Sequence, residues 1–247
     1  MSGVFITRGM TVSIPAGGLS LSIGDDGNPT ASSLTLHVHY DVCPTWLDLA
    51  SRHLAAAEQS KVARVAAWQS DDPDVRAATL ERECESSMQA IMAAGIAIES
   101  FYLALRDKTN IDKETIQRWR TKRTARHKQI AEVLRRAFSL QPRPTVVLRG
   151  NLQQVFKFRD LAVHPSGDTT APVLHPELQT GVEWRFAVFR ADNARPLVHA
   201  ARGIIHELVT KGSSATPEIA RYVDGLRNLL APQFSVELTE GGSPEAA

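Results

Sequence analysis

The chain has 247 residues, of which 43% are hydrophobic and 22% are charged, and its formal net charge is +1. This composition is typical of a folded globular protein and excludes a disordered or fibrous one. The near-neutral net charge does not by itself indicate a polyanionic partner, so any contact with nucleic acid must depend on local basic clusters. The two cysteines, Cys43 and Cys84, lack the spacing of metal ligands, which favours a reducing, cytoplasmic location.

Membrane segments are not indicated. The chain does not open with a basic segment followed by a long apolar core. Its longest nearly uncharged apolar stretch, residues 88–98, is about half of the ~20 residues that a membrane helix needs. We therefore expect a cytoplasmic protein without a membrane partner.

Residues 1–43 are predicted to form a β-rich N-terminal appendage. Glycine and proline mark turns at residues 13–18 and 24–29, and short alternating runs lie between and after them. Val38 and Tyr40, for example, alternate with polar neighbours, as in a strand with one apolar face. The pattern predicts a small antiparallel sheet of three or four strands.

Residues 44–231 are predicted to form a helical bundle, so the fold class is mainly α with a small β appendage. The second helix is the longest, and its centre is apolar nearly all round, as expected in the middle of a bundle. Small residues such as Gly95 would let another helix approach it closely. The predicted helices cover residues 45–69, 74–107, 112–139 with Asp112 as cap, 144–164, 193–211 with Asn193 as cap, and 217–231. Residues 165–181 are a predicted long loop, 182–190 fit either a strand or a helix, and 232–247 form a polar tail predicted to be disordered.

Arg159, Asp160 and His164 stand at the end of the fourth predicted helix, directly before Pro165. Arginine stays cationic and histidine titrates near neutrality, so this pair can bind a phosphate and move a proton without a metal. Residues five apart do not share a helix face, but the proline disfavours helical backbone at His164 and can turn its ring toward Arg159. Asp160 can orient either side chain. The alternative is structural: Arg159 forms a surface ion pair and His164 caps the helix.

The run from Arg159 to His164 resembles the R-[N/D/H]-x-x-x-H motif of the HEPN superfamily, whose members are compact α-helical bundles. Residues 88–106 resemble the long alanine-rich helix of that fold, and Glu99 lies where family members often carry an acidic residue. The resemblance covers roughly residues 75–211 and leaves out the β-rich N-terminus and the tail. It implies a HEPN-like helical bundle.

Many HEPN proteins are metal-independent endoribonucleases that need no cofactor, and others are non-catalytic modules that bind RNA, nucleotides or proteins. The resemblance implies one of these two functions for this chain. Arg159 would bind the scissile phosphate, His164 would act as general acid or base, and Asp160 would support them, leaving a 2′,3′-cyclic phosphate and a 5′-hydroxyl. Family members commonly dimerise around one cleft, so we expect a homodimer that acts on RNA, with a toxin or defence role and an antitoxin or other partner protein. A third interpretation is the helical subunit of a nucleotide-modifying enzyme whose catalytic chain is separate.

The third predicted helix carries a run of basic residues, which includes His127 and has no acid among them. Such a run supplies phosphate contacts, and Trp119 within it can add a stacking surface. The predicted RNA-binding residues are Arg118, Arg120, Lys122, Arg123, Arg126 and Lys128. The alternative is a solvated helix face with Trp119 buried in the core.

Metal binding has little support in the sequence. His37 and His39 share a strand face, but no third ligand lies nearby in the sequence. His164 and His175 bracket the long loop with Asp168 between them, without a spacing typical of a metal site. The chain also lacks the motifs of phosphate loops, dinucleotide-binding folds, serine esterases and zinc proteases. We predict no metal site.

Overall fold

The computed structural model describes residues 6–164, 167 and 169–235, and it divides the chain into two compact units, Met1–Val42 and Cys43–Ala247. The chain is mainly helical (65%), with small antiparallel β elements at the N-terminus. This confirms the predicted fold class, a helical protein with a small β appendage.

The N-terminal unit consists of two antiparallel strand pairs. They are β1 (Met10–Ser13) with β4 (His37–Tyr40), and β2 (Leu21–Ile23) with β3 (Pro29–Ala31). The prediction of one sheet was wrong, because the four strands of the described residues form two separate pairs. Between β1 and β2 the chain makes a tight turn, in which Gly17 has a φ of 75° and the N–H of Gly18 donates to the carbonyl of Pro15. After this turn β2 pairs with β3, and β1 pairs with β4.

The second unit is a helical bundle that also contains a short strand pair, β5 (Val173–Leu174) with β6 (Gly181–Val182). The helices of its described residues are α1 (Cys43–Ala67), α2 (Pro73–Arg106), α3 (Lys113–Thr121), α4 (Arg126–Ala137), α5 (Pro142–Val163), α6 (Trp184–Val188), α7 (Ala191–Lys211) and α8 (Pro217–Ser235). The predictions for α1, α2 and α5 are confirmed to within two residues at each end.

The core of the bundle is built around α2, which packs against α1, α4, α5 and α7. Its start is set by Asp72, whose side chain accepts hydrogen bonds from the N–H groups of Asp74 and Val75, with Pro73 in the first turn. The centre of α2 is buried at Ile91 and Ile98, among other residues. By length and composition alone α2 could also cross a membrane, and 56% of its most apolar window is buried inside the protein.

The predicted third helix, residues 112–139, is interrupted, so α3 and α4 are separate. The N–H of Thr124 donates to the carbonyl of Trp119 (2.9 Å), and that of Arg123 donates to Arg120 (3.2 Å). With a φ of 45° at Arg123, these bonds form the Schellman motif that ends many helices. The predicted start is confirmed, because the side chain of Asp112 caps α3 at the N–H of Thr115.

The last third of the bundle differs from the prediction in several details. Helix α7 begins after Arg190, so Asn193 is not its cap; the Asn193 amide lies in the first turn and donates to the carbonyl of Val188 (2.8 Å). The predicted loop at 165–181 contains β5 and the start of β6, and the ambiguous segment 182–190 contains α6. Helix α8 continues to Ser235, so residues 232–235 are helical rather than disordered. The rest of the predicted tail, 236–247, lies outside the described residues.

A buried ion pair joins α1 and α2. Arg64 is fully buried, its Nε donates to Oε2 of Glu83, and its Nη2 donates to Oε2 of Glu177 at 2.8 Å. The other oxygen of Glu83 accepts the N–H of Ala191 at 3.1 Å. Both oxygens of this buried carboxylate therefore have partners, as burial of a charge requires.

Candidate functional site

The predicted motif lies where α5 contacts α2. Gly95 of α2 is buried and faces the side chain of Arg159, so a Cβ at this position would stand 2.9 Å from Cδ of Arg159 and 3.1 Å from its Cγ. These separations are too short for ordinary van der Waals contact. Glycine therefore makes the room that the stem of Arg159 occupies, which agrees with the small-residue face predicted for α2.

Glu99 lies one turn after Gly95 on the same face of α2 and receives the head of Arg159. Nη1 of Arg159 donates to Oε2 of Glu99 at 2.9 Å. The other oxygen, Oε1, accepts a hydrogen bond from Nε of Arg126 at 2.8 Å, and Nη2 of the same guanidinium lies 2.8 Å from it in an ion pair. One carboxylate of α2 thus bridges two guanidinium groups, one from α4 and one from α5.

Asp160 holds the other side of the Arg159 guanidinium. Its Oδ1 accepts from Nε at 3.1 Å and from Nη2 at 2.8 Å, and the Cζ atom of Arg159 lies 4.9 Å from the centre of the Phe156 ring. A guanidinium has five N–H groups, and these contacts with Glu99 and Asp160 use three of them. Among the described residues, one N–H on Nη1 and one on Nη2 have no partner, so both can bind an anion.

His164 ends α5 and is exposed. Its backbone leaves the helix, with a ψ of 74°, and its N–H donates to the carbonyl of Asp160 at 2.9 Å. Five residues of helix separate it from Arg159 by about 7.5 Å along the axis. No hydrogen bond joins the His164 side chain to Arg159 or Asp160 among the described residues. The structure therefore places both residues of the predicted pair at one helix end, without a hydrogen bond between their side chains.

A second histidine lies near the motif. His127 follows Arg126 in the first turn of α4, and its Nε2 is buried with no hydrogen-bond partner among residues 6–164, 167 and 169–235. Burial lowers the pKa of His127, Lys128 and Arg149 lower it further, and the carboxylate of Asp160 acts in the opposite direction. The imidazole is therefore largely neutral at pH 7. Sequence reasoning counted His127 only as part of a basic run, because its relation to Asp160 exists only in the folded protein.

The predicted RNA-binding residues are divided by the break between α3 and α4. Arg118 donates to Oγ1 of Thr115 at 2.9 Å, and Arg126 is held by Glu99. The remaining four, Arg120, Lys122, Arg123 and Lys128, are exposed, as is Arg118. Trp119 is partly buried and packs against the core. Its position is therefore intermediate between the two alternatives, an exposed stacking surface and a residue buried in the core.

No group of three or more His, Cys, Asp or Glu residues among the described residues could hold a metal ion. His37 and His39 are exposed on β4. His175 is fully buried, and its Nδ1 accepts the N–H groups of Glu177 and Leu178, each at 3.2 Å. Asp168 lies outside the described residues, so its suggested grouping with the two loop histidines is not tested.

No protein-family model, no curated protein and no solved structure matches the chain. Membership of the HEPN superfamily therefore remains a prediction.

Proposed function

We propose that the protein is a metal-independent endoribonuclease of HEPN type, in which Arg159 binds the scissile phosphate. The observation that carries the proposal is the way the guanidinium is held: Glu99 and Asp160 bind it from two sides and leave two N–H groups for a phosphate. A group that is ordered before the substrate arrives loses little entropy on binding and stabilises the charge that develops during the reaction.

His164 is the proposed proton-transfer group. Cleavage requires that the ribose 2′-hydroxyl lose its proton while its oxygen attacks the phosphorus. The 5′ oxygen must gain a proton while its bond to phosphorus breaks, which leaves a 2′,3′-cyclic phosphate and a 5′-hydroxyl. Imidazole suits either transfer near neutral pH, and His164 is exposed at the end of the helix that carries Arg159. Because one imidazole serves one transfer at a time, a homodimer that joins two copies of the motif would supply both.

The exposed cations of α3, α4 and the link between them, Arg120, Lys122, Arg123 and Lys128, are proposed to bind the RNA backbone. They are not held by the carboxylate of Glu99, unlike Arg126, which we propose to reassign from the RNA surface to the site itself. In that position Arg126 helps to hold Glu99 in place and adds positive charge behind Arg159.

A non-catalytic RNA-binding or protein-interaction module is the second candidate, and the charge balance of the site favours it. Glu99 and Asp160 carry two negative charges, and Arg126 and Arg159 carry two positive ones, so these four groups sum to zero. An incoming phosphate gains less at such a site than at an unpaired arginine, because the two carboxylates repel it.

Incubation of the full-length protein with single-stranded RNA in EDTA separates the two candidates. We expect the wild type to cleave and both Arg159→Ala and His164→Ala to lose activity by about 100-fold or more, the usual effect of removing such groups. Arg143→Ala, an exposed arginine at the opposite end of α5, and His199→Ala, an exposed histidine of α7, are the matched controls and should keep full activity. RNA that is 2′-O-methylated should resist, because the attack needs a free 2′-hydroxyl.

Cyclic phosphate ends, detected by mass spectrometry and lost in both variants, would support the ribonuclease. A folded wild type that binds RNA without cutting it would contradict the proposal and favour the module.

A further inference from the structure

A cavity of about 280 Å³ lies between the C-terminal end of α2 and helix α3. Its walls combine the apolar side chains of Ile111, Ile116 and Trp119 with polar groups that include Asn110. This volume is just below the usual range for ligand pockets, about 300–1,000 Å³. It suits a single planar ring system better than a large ligand.

We propose that this cavity binds one unstacked nucleobase of a single-stranded RNA, with Trp119 as the stacking surface. The inference rests on the proposed function, because it takes the same RNA as its ligand. Trp119 is partly buried and packs against the core while it also lines the cavity. Its indole is therefore held in place by the fold, as a stacking surface should be.

The charges around the cavity favour RNA over an uncharged aromatic ligand. Lys122, the C-cap of α3, lies three residues after Trp119 and so on the same side of the helix, while Arg120 follows Trp119 directly and Arg123 lies in the turn just after the helix. All three are exposed. They can contact the phosphates on either side of a base that enters the cavity, because each base in a strand is flanked by phosphates.

The acidic groups near the cavity do not oppose this arrangement. Asp107 accepts from Nε of Arg106 at 3.0 Å, and Asp112 forms an ion pair with Arg136 at 3.4 Å. Both carboxylates are thus paired with arginines. The exposed amide of Asn110 offers one donor group and one acceptor to the edge of a base. The cavity therefore provides a flat apolar wall and a polar edge for a neutral base.

Binding of a 2′-O-methylated octanucleotide tests the proposal, since this probe resists the cleavage proposed above. Fluorescence anisotropy with the full-length protein should show binding that is about 5- to 150-fold weaker in Trp119→Leu, which corresponds to the loss of one base stack. Trp68→Leu is the matched control, because Trp68 does not line the cavity, and its affinity should equal that of the wild type. An unchanged affinity in folded Trp119→Leu would overturn the proposal, as would a nucleoside monophosphate that binds as tightly as the octanucleotide.

A second measurement does not depend on whether Trp119→Leu folds. An octanucleotide that carries 5-iodouridine should photo-cross-link to wild-type Trp119, identified by peptide mass spectrometry, and a cross-link found only elsewhere would overturn the proposal. Arg159→Ala should lose cleavage and keep this cross-link. A protein that cross-links at Trp119 and never cleaves RNA would refute the ribonuclease alone, and one that cleaves without this cross-link would refute the base site alone.

Discussion

Replacement of Gly95 by alanine tests how Arg159 is held. The added Cβ would stand 2.9 Å from Cδ, 3.1 Å from Cγ and 3.3 Å from Cβ of Arg159, so the whole stem of that side chain would have to move. Overpacking of this kind costs about 1–3 kcal/mol. Alanine is also the better helix former by about 1 kcal/mol. The net effect is a loss of about 0–2 kcal/mol in the free energy of unfolding.

Gly203→Ala is the matched control. Gly203 lies on the exposed face of α7, and a Cβ there would meet no heavy atom within 4 Å. Only helix propensity acts at this position, so stability should rise by about 1 kcal/mol. The same substitution at the two positions should therefore differ by about 1–3 kcal/mol. Urea denaturation followed by circular dichroism measures both changes.

The same pair of variants tests the site. Displacement of the Arg159 stem should pull its head away from Glu99, and a shift of about 1 Å in a positioned group can cost on the order of 100-fold in rate. RNA cleavage should therefore fall at least about tenfold in Gly95→Ala and stay unchanged in Gly203→Ala. If alanine stabilised both positions equally, the close contact between Gly95 and Arg159 would be refuted. A destabilised Gly95→Ala with full activity would refute the importance of the Arg159 position for cleavage.

Three further changes test other parts of the fold. Glu83→Ala should lower the free energy of unfolding in urea by about 3–5 kcal/mol, because it leaves Arg64 buried without this partner, whereas Glu58→Ala, in an exposed pair with Arg195, should cost less than about 1 kcal/mol. Arg123→Gly should raise stability by about 1 kcal/mol, since glycine accepts the left-handed φ of 45° without strain, and it should weaken RNA binding. Hydrogen bonds from Arg135 and Arg136 lower the pKa of Glu132 from 4.5 to about 2. The pKa in the folded protein lies below the unfolded value, so the ionised Glu132 stabilises the fold fully above pH 4.5, and this stabilisation is lost as the pH falls toward 2. Glu132→Gln should remove that part of the pH dependence of the denaturation midpoint.

For each of these variants, one result would contradict the expected effect. Equal losses in the free energy of unfolding for Glu83→Ala and Glu58→Ala would mean that burial adds nothing to the ion pair between Arg64 and Glu83. A destabilised Arg123→Gly would mean that the side chain contributes more than the backbone strain costs. Parallel pH profiles for the wild type and Glu132→Gln would contradict the lowered pKa of Glu132.

Local signals explain which parts of the fold could be predicted. Helix α2 was predicted to within one residue at each end, because the capping Asp72, the adjacent Pro73 and the apolar centre of the helix are all signals between residues close together in the chain. The end of α3 at Thr121 was missed, because the left-handed residue that follows such a helix end is usually glycine, and here it is Arg123. Nothing in the run from Arg118 to Lys128 marks such a turn, so its helical pattern was extended through it.

The sequence by itself determined the helical class of the chain and the pair Arg159 and His164 at the end of one helix. Periodicity, caps and short motifs depend on residues that are close together in the chain, so they can be recognised without a structure. Only the tertiary structure decided that Glu99 holds both Arg126 and Arg159, which are 27 and 60 residues away from it. Contacts over such separations depend on how α2, α4 and α5 pack, and that packing follows from the burial of many side chains at once.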